Sequence, residues 1–303
     1  MKRFIKYFIL FIISFVALIL YFSININNKN VHRHIQIDQS SNNEDERVKL
    51  MNLVAIGDSL TQGVGDVSNS GGYVPRIKQL FDERLKIDLN VKNYGIAGER
   101  SDQITRRILQ KESIQKDIQK ANMVVITVGG NDLLQSLQKN ALIANDNTFH
   151  KNMNSALNKY QTSLNELLHA VKHYNSNCRI YLFGVYNPLY VYFANVEKIT
   201  DYVDKLNEIN SMTANDYKNC YYVDIKSLTY GQFKTENQRK ELLKDSNHSS
   251  FNVKDFSEDA SDSKEINDYL SDKDHFHPND AGYDVMTDNL FKVIKNTENF
   301  NKY

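Results

Sequence analysis

Four short stretches of the sequence hold side chains that could together transfer an acyl group. Gly57-Asp58-Ser59-Leu60 offers a hydroxyl, Asn93-Tyr94-Gly95-Ile96-Ala97-Gly98 a glycine-bearing turn, and Gly129-Gly130-Asn131-Asp132 an amide. Asp274-His275-Phe276-His277-Pro278 adds an imidazole with a carboxylate three positions before it. A serine hydroxyl is a weak nucleophile at neutral pH unless a base takes its proton during attack, and a histidine of ordinary pKa, about 6.5, suits that task. Ser59 is the candidate nucleophile and His277 the candidate base. Asp274 can fold back in a tight loop to fix the tautomer of His277 and stabilise its charged form. The tetrahedral intermediate needs donors aimed at its oxygen, and the backbone N–H groups of Ser59 and Gly98 with the Asn131 amide are the candidates.

Two of these assignments have competitors. Gly95 is the alternative to Gly98, which is favoured because it stands at the far end of its loop, where the backbone must approach a substrate closely. His275 is the alternative to His277, which is favoured by the Asp-x-x-His spacing and the proline that follows. Each residue taken singly has a plainer role: Ser59 a helix N-cap, Asp274 a turn residue, Asn131 a loop cap, the glycines left-handed turns. Asp58 and Asp132 are expected to organise loops, because short carboxylate side chains bond nearby backbone amides. His150, His169, His173 and His248 are expected at the surface or partly packed, and no metal is implied.

The elements that must bring these stretches together alternate along the chain. Continuous apolar runs at Met51–Ile56, Met123–Val128 and Ile180–Val185, alternation at Ile87, Leu89 and Val91, and a run near Tyr221–Ile225 predict five strands. Helical spacing joins Tyr73, Ile77, Leu80, Phe81 and Leu85; Ile104, Ile108 and Leu109, with Ser101 as cap; Met153 through Val171; and Val196 through Ile209. A final helix starts near Asn279. Strands and helices in this order imply right-handed crossovers and a mainly parallel sheet covered on both faces. Ligands of such sheets bind beyond the carboxyl ends of the strands, where three of the four stretches fall directly and the histidine loop could reach.

The N-terminus reads differently. Lys2, Arg3 and Lys6 precede an apolar stretch from Tyr7 to Ile26, and 20 helical residues rise about 30 Å, one hydrocarbon core. A cleaved signal peptide is the rival reading, but the stretch is long and Leu20 to Ile24 offer no small-residue cleavage site. Residues 1–26 are therefore expected to form a cytoplasmic stub and transmembrane anchor, 27–49 a polar tether containing His32 and His34, and 50–303 the folded domain outside the membrane.

Composition narrows the partners. The 37 Lys+Arg balance 37 Asp+Glu, which argues against a broad nucleic-acid footprint. Cys178 and Cys220, each just before a strand, are too few for a disulfide framework or a zinc site, though a bridge between neighbouring strands is feasible. The polar segment from about 226 to 273 reads equally as a lid or a solvated excursion. A Gly-Lys-Ser/Thr run is missing after the first strand, which weakens a phosphate-binding alternative.

The four ordered blocks resemble those of the GDSL or SGNH hydrolases. The first block matches Gly57 to Leu60, the second-block glycine Gly98, the third block Gly129 to Asp132, and the last Asp274 to His277 with Pro278. Gln62-Gly63-Val64-Gly65-Asp66, Gly71-Gly72-Tyr73 and Tyr186-Asn187-Pro188 look like a membrane-anchored branch found in Gram-positive bacteria. The resemblance implies a flavodoxin-like three-layer α/β/α sandwich with a five-stranded sheet. It implies a serine ester hydrolase with Ser59, Asp274 and His277 as triad and Ser59, Gly98 and Asn131 as oxyanion hole. The reaction needs no cofactor, and the expected partners are an ester substrate (a lipid, an acetylated glycan or a small ester) and the membrane. An inactive scaffold on the same fold is the alternative from another class.

Overall fold

β1 (Lys49–Gly57) is buried without a break from Leu53 to Gly57 because it lies in the interior of a sheet covered on both faces. A computed structural model describes residues 49–68, 70–140, 142–192, 197–248 and 265–300. The expected anchor and all but the last residue of the expected tether, with His32 and His34, lie outside the described residues, and among those described no helix is long and apolar enough to cross a membrane.

The chain continues through α1 (Ser59–Gln62), α2 (Tyr73–Leu85), β2 (Ile87–Gly95), α3 (Ser101–Gln110), α4 (Glu112–Lys120) and β3 (Met123–Thr127). Then come α5 (Gly130–Asn140), α6 (Asp146–Tyr174), β4 (Arg179–Phe183), α7 (Glu197–Asp216), β5 (Cys220–Val223), α8 (Glu236–His248) and α9 (Asp280–Thr297). The five strands pair in the order β2-β1-β3-β4-β5, and every pairing is parallel. Strand order reverses beside β1, so a crevice opens beyond the ends of β1 and β3. The register sets Gly57 beside Gly95 on one side and beside Thr127 on the other, which levels the starts of three loops.

Side chains alternate across the sheet. Val54, Ile56, Val124, Ile126, Ile180 and Leu182 face the layer of α3, α4, α6 and α7. Leu53, Ala55, Met123, Val125, Tyr181 and Phe183 face α2 and α9. This period-two alternation divides the apolar core into two slabs and makes the molecule a three-layer α/β/α sandwich.

Some expectations need correction. Ser101 is the first residue of α3 and does not cap it; its backbone N–H and hydroxyl both donate to Asp132, at 3.0 and 2.6 Å. Leu109 is 54% exposed and lies outside the core. The end of the polar segment is no solvated excursion: Asn267, Leu270 and Ser271 are buried, and Leu270 bridges Pro278 under the histidine loop. Cys178 and Cys220 are free and buried, and burial pushes their thiols up to about 11 and about 12. The register pairs Ile180 with Cys220, so the two cysteines are offset by two residues. Strand spacing then sets them about 8 Å apart, past the reach of a disulfide.

Gly95 allows α1 to sit on the end of β2. A Cβ there would lie 2.2 Å from the Gln62 nitrogen and 2.5 Å from the Thr61 carbonyl carbon, both backbone atoms that cannot swing away. Gly95→Ala should therefore cost about 1–3 kcal/mol through overpacking. A urea unfolding midpoint equal to the parent's would show that α1 has room to move.

Candidate active site

Ser59 stands where β1 turns into α1. Asp58 caps that helix by accepting the Leu60 N–H at 3.0 Å, and its Oδ1 also accepts the Thr127 hydroxyl at 2.8 Å. Thr127 meets Thr61 at 2.8 Å, and Thr61 meets the Tyr73 hydroxyl at 2.9 Å, so a buried hydroxyl chain supports the turn from below. Burial pushes the Asp58 carboxyl above its ordinary pKa, although the Thr127 and Leu60 hydrogen bonds oppose the rise. The Ser59 carbonyl accepts the N–H groups of Gly63 and Val64, both at 3.0 Å, which closes the helix after one turn.

His277 reaches Ser59 from the opposite end of the chain. Its Nε2 lies 2.8 Å from Ser59 Oγ, and its Nδ1 lies 2.7 Å from Asp274 Oδ2. The other oxygen of Asp274 accepts the backbone N–H groups of Phe276 and His277 at 3.0 and 2.9 Å. The Asp-x-x-His spacing is thus a closed turn in which one carboxylate shapes the backbone and orients the ring. A carboxylate only accepts, so the proton belongs on Nδ1, and Nε2 is left to accept from the serine. Ser59 is 8% and His277 5% exposed, which shields the chain of bonds from competing water. The Tyr186 hydroxyl donates to the Phe276 carbonyl at 2.7 Å and pins the turn from the loop after β4.

The expected oxyanion donors lie on the adjoining loops. Gly98 adopts φ 82°, a left-handed conformation for which glycine is suited. Around it, Ile96 N–H donates to Gly57 O, Ala97 N–H to Gln62 Oε1, and Glu99 N–H to Ile96 O. Among the described residues the Gly98 and Ser59 N–H groups have no acceptor within the protein. Asn131 Nδ2 donates to Glu99 O at 2.9 Å, which uses one of its two amide hydrogens and leaves the second for a substrate oxygen. Gly95, the competing glycine, is a packing contact with α1, and His275, the competing base, bonds Glu265 instead of Ser59.

Several supporting residues were invisible as such in the sequence. Glu99 forms a two-pronged ion pair with Arg107, at 2.7 and 2.9 Å, and Arg107 also donates to Gly57 O at 3.4 Å. Asp132, by contrast, was expected to organise a loop, and it clasps Ser101 at the start of α3. The loops bearing Ser59, Gly98 and Asn131 are therefore tied to one another through Arg107, Asp132 and one Asn131 amide hydrogen, which leaves the Ser59 and Gly98 N–H groups and the second Asn131 amide hydrogen for a substrate. A polar cleft of about 370 Å³ between α3, α5 and α6 is walled by Arg100, Asp132, Gln135, Lys139, Asn152 and Tyr160 among others. Its lining does not include Ser59, Gly98, Asn131 or His277, although Arg100 stands two residues after Gly98 and Asp132 one after Asn131.

Comparison with known proteins identifies the family and the fold. A family model described as GDSL-like Lipase/Acylhydrolase matches residues 55–285. Uncharacterized protein YpmR of Bacillus subtilis is 29% identical over 245 residues, covering 80% of this chain and 81% of its own. Spore germination lipase LipC of Bacillus licheniformis is 26% identical over 157 residues, covering 52% of this chain and 72% of its own. Among solved structures, a lipase from goat rumen metagenome superposes with a TM-score of 0.60 at 21% identity over 80% of this chain and 97% of that one. A mutant acetyl-xylooligosaccharide esterase of Geobacillus stearothermophilus gives 0.51 at 20% identity, over 80% and 94%. At such identities the two structures show the fold alone.

Burial acts to raise the Asp274 carboxyl, but the charge and hydrogen bonds of His277 and the backbone N–H groups of His277 and Phe276 outweigh it, so the group titrates below its ordinary value. A carboxyl depressed in the folded state adds stability above its unfolded pKa, about 3.9, and loses that contribution as pH falls through the folded value. Asp274→Asn should therefore unfold more easily than the parent at neutral pH, with the difference shrinking below about pH 4. A difference constant from pH 7 to pH 3 would show that the charge adds nothing to the fold.

Proposed function

The chain belongs to the GDSL-like lipase/acylhydrolase family and is an ester-bond hydrolase; from that premise we propose that it works through a Ser59–His277–Asp274 triad and an acyl-enzyme. The observation that carries this reading is the unbroken chain of hydrogen bonds from Asp274 through His277 to Ser59. Ser59 Oγ attacks the ester carbonyl while His277 Nε2 takes its proton. The carbonyl oxygen becomes an oxyanion and accepts hydrogen bonds from Ser59 N–H, Gly98 N–H and Asn131 Nδ2. Asp274 holds the imidazolium in place through Nδ1. Collapse of the intermediate breaks the ester C–O bond, and His277 returns the proton to the departing alcohol. Water then attacks the acyl-serine with His277 again as base, the acid leaves, and Ser59 regains its proton.

The polar cleft beside the donor loops supports a substrate with a hydroxyl-bearing portion, such as an acetylated glycan, over an ester apolar throughout. For location, the apolar run 7–26 behind Lys2, Arg3 and Lys6 supports a chain anchored in the cell membrane with the hydrolase domain outside.

A fluorophosphonate probe tests the nucleophile: the parent should be labelled at Ser59, and Ser59→Ala should lose both label and turnover. A folded parent without labelling or ester turnover would favour the scaffold reading. Asn131→Ala should lower kcat by about 10² to 10³-fold at intact stability. Rates on p-nitrophenyl esters of rising acyl length, set beside release of acetate from O-acetylated glycans, test the substrate; a clear preference for long acyl chains over the glycan overturns the polar reading. Full-length protein should stay with membranes after alkaline extraction and be open to external protease on whole cells, and recovery in the soluble fraction would contradict the anchor.

A further inference from the structure

The triad leaves a second buried imidazole–carboxylate pair unexplained. His275 is 3% exposed and sits inside the Asp274–His277 turn with φ 52°, a left-handed conformation that a side-chain-bearing residue keeps only when its surroundings hold it there. Its Nδ1 lies 2.5 Å from Glu265 Oε2. The other oxygen of Glu265 accepts the Tyr192 hydroxyl and, at 2.7 Å, the backbone N–H of Asn267. Glu265 N–H donates to Asp272 at 3.0 Å, and Asn267 Nδ2 donates to Leu228 O at 2.8 Å. The loop after β4, 73 positions away, and the histidine turn, ten positions on, meet on this one carboxylate.

We infer that Glu265, His275 and Tyr192 form a positioning unit for the base, an inference that rests on the reading of His277 given above. His275 and His277 are two residues apart, and their side chains bond in different places, one to Glu265 and the other to Ser59. The peptide between them is held by Asp274 at the Phe276 N–H and by Tyr186 at the Phe276 carbonyl. The turn is further fixed where His275 N–H donates to Ser271 O at 2.8 Å and Ser271 N–H to His277 O at 2.9 Å. Anchoring the His275 ring therefore fixes the backbone from which both Asp274 and His277 project. Releasing it lets the turn relax toward ordinary φ and swings His277 Nε2 away from Ser59 Oγ. Tyr192, His275 and Glu265 touch no reacting atom and act only through this geometry.

The test compares Tyr192→Phe, Glu265→Gln and His275→Asn with the parent on a soluble p-nitrophenyl ester, after matching thermal unfolding and circular dichroism. Loss of alignment should lower kcat roughly 10 to 10²-fold in Glu265→Gln and His275→Asn, less in Tyr192→Phe, with KM little changed. The limb of the kcat/KM pH profile that reports the base should shift, and fluorophosphonate labelling of Ser59 should slow in step with kcat. Folded variants with parental kcat, pH profile and labelling rate would overturn the positioning role. Should Glu265→Gln not fold, Tyr192→Phe, which deletes one hydroxyl, decides by the same criteria. Ser59→Ala separates the two claims: if it keeps turnover, the triad reading fails; if it is inactive while the positioning variants match the parent, only this inference fails.

Discussion

A single 2.8 Å hydrogen bond between Ser59 and His277 joins residues 218 positions apart, and the architecture makes that contact possible. β1 is an interior strand, second from the edge of the parallel sheet, and its carboxyl end opens at the point where strand order reverses. β3, beside it, delivers Asn131 to the same level, and β2, on its other side, delivers Gly98. The final helix returns across the opposite face, packing Tyr283, Met286 and Leu290 against the slab that contains α2, and so brings the turn before it over the serine. Each strand alternates its side chains between two slabs, and a one-residue slip in register would turn each core side chain toward the wrong layer. The apolar core thus fixes the relative heights of four loops that share no sequence neighbours.

Burial is the second constraint. Asp58, Ser59, Ser101, Thr127, His275 and His277 are all nearly enclosed, and a buried polar group without a partner is costly. Partners are supplied in a consistent pattern: carboxylates accept backbone N–H groups at turns, as Asp58, Asp132 and Asp274 do. Arg107 and Glu99 close the remaining gap between β1 and the glycine turn. Against this background, the Ser59 and Gly98 N–H groups, which find no acceptor among the described residues, become conspicuous. They lie on the loops that a substrate oxygen would have to approach.

Much of this was legible in the sequence. Continuous apolar runs betrayed the interior strands, because a strand covered on both faces has no polar side to display. The Asp-x-x-His spacing encoded a turn that one carboxylate closes. Other parts were hidden for physical reasons. α4 and α8 are short and polar, and α8 rests on only a few apolar contacts such as Leu242 and Leu243, so no clear period marks it. Ser101 looked like a cap because serine commonly is one, but its partner, Asp132, comes from a different loop 31 residues on. Glu265 gave no signal at all: a glutamate in a polar stretch is ordinarily solvated, and only the fold closes Tyr192, Asn267 and His275 around it. The Asp-x-x-His spacing favoured His277 over His275, and the structure places His277 at Ser59 and His275 at Glu265.

The most direct measurement is a crystal structure of the protein inactivated by a phosphonate ester. A triad centred on Ser59 requires phosphorus bonded to Ser59 Oγ, with the phosphoryl oxygen about 2.7–3.1 Å from Ser59 N, Gly98 N and Asn131 Nδ2 and His277 Nε2 facing the leaving-group oxygen. Phosphorus on another residue, or a phosphoryl oxygen turned away from those three donors, would contradict the account.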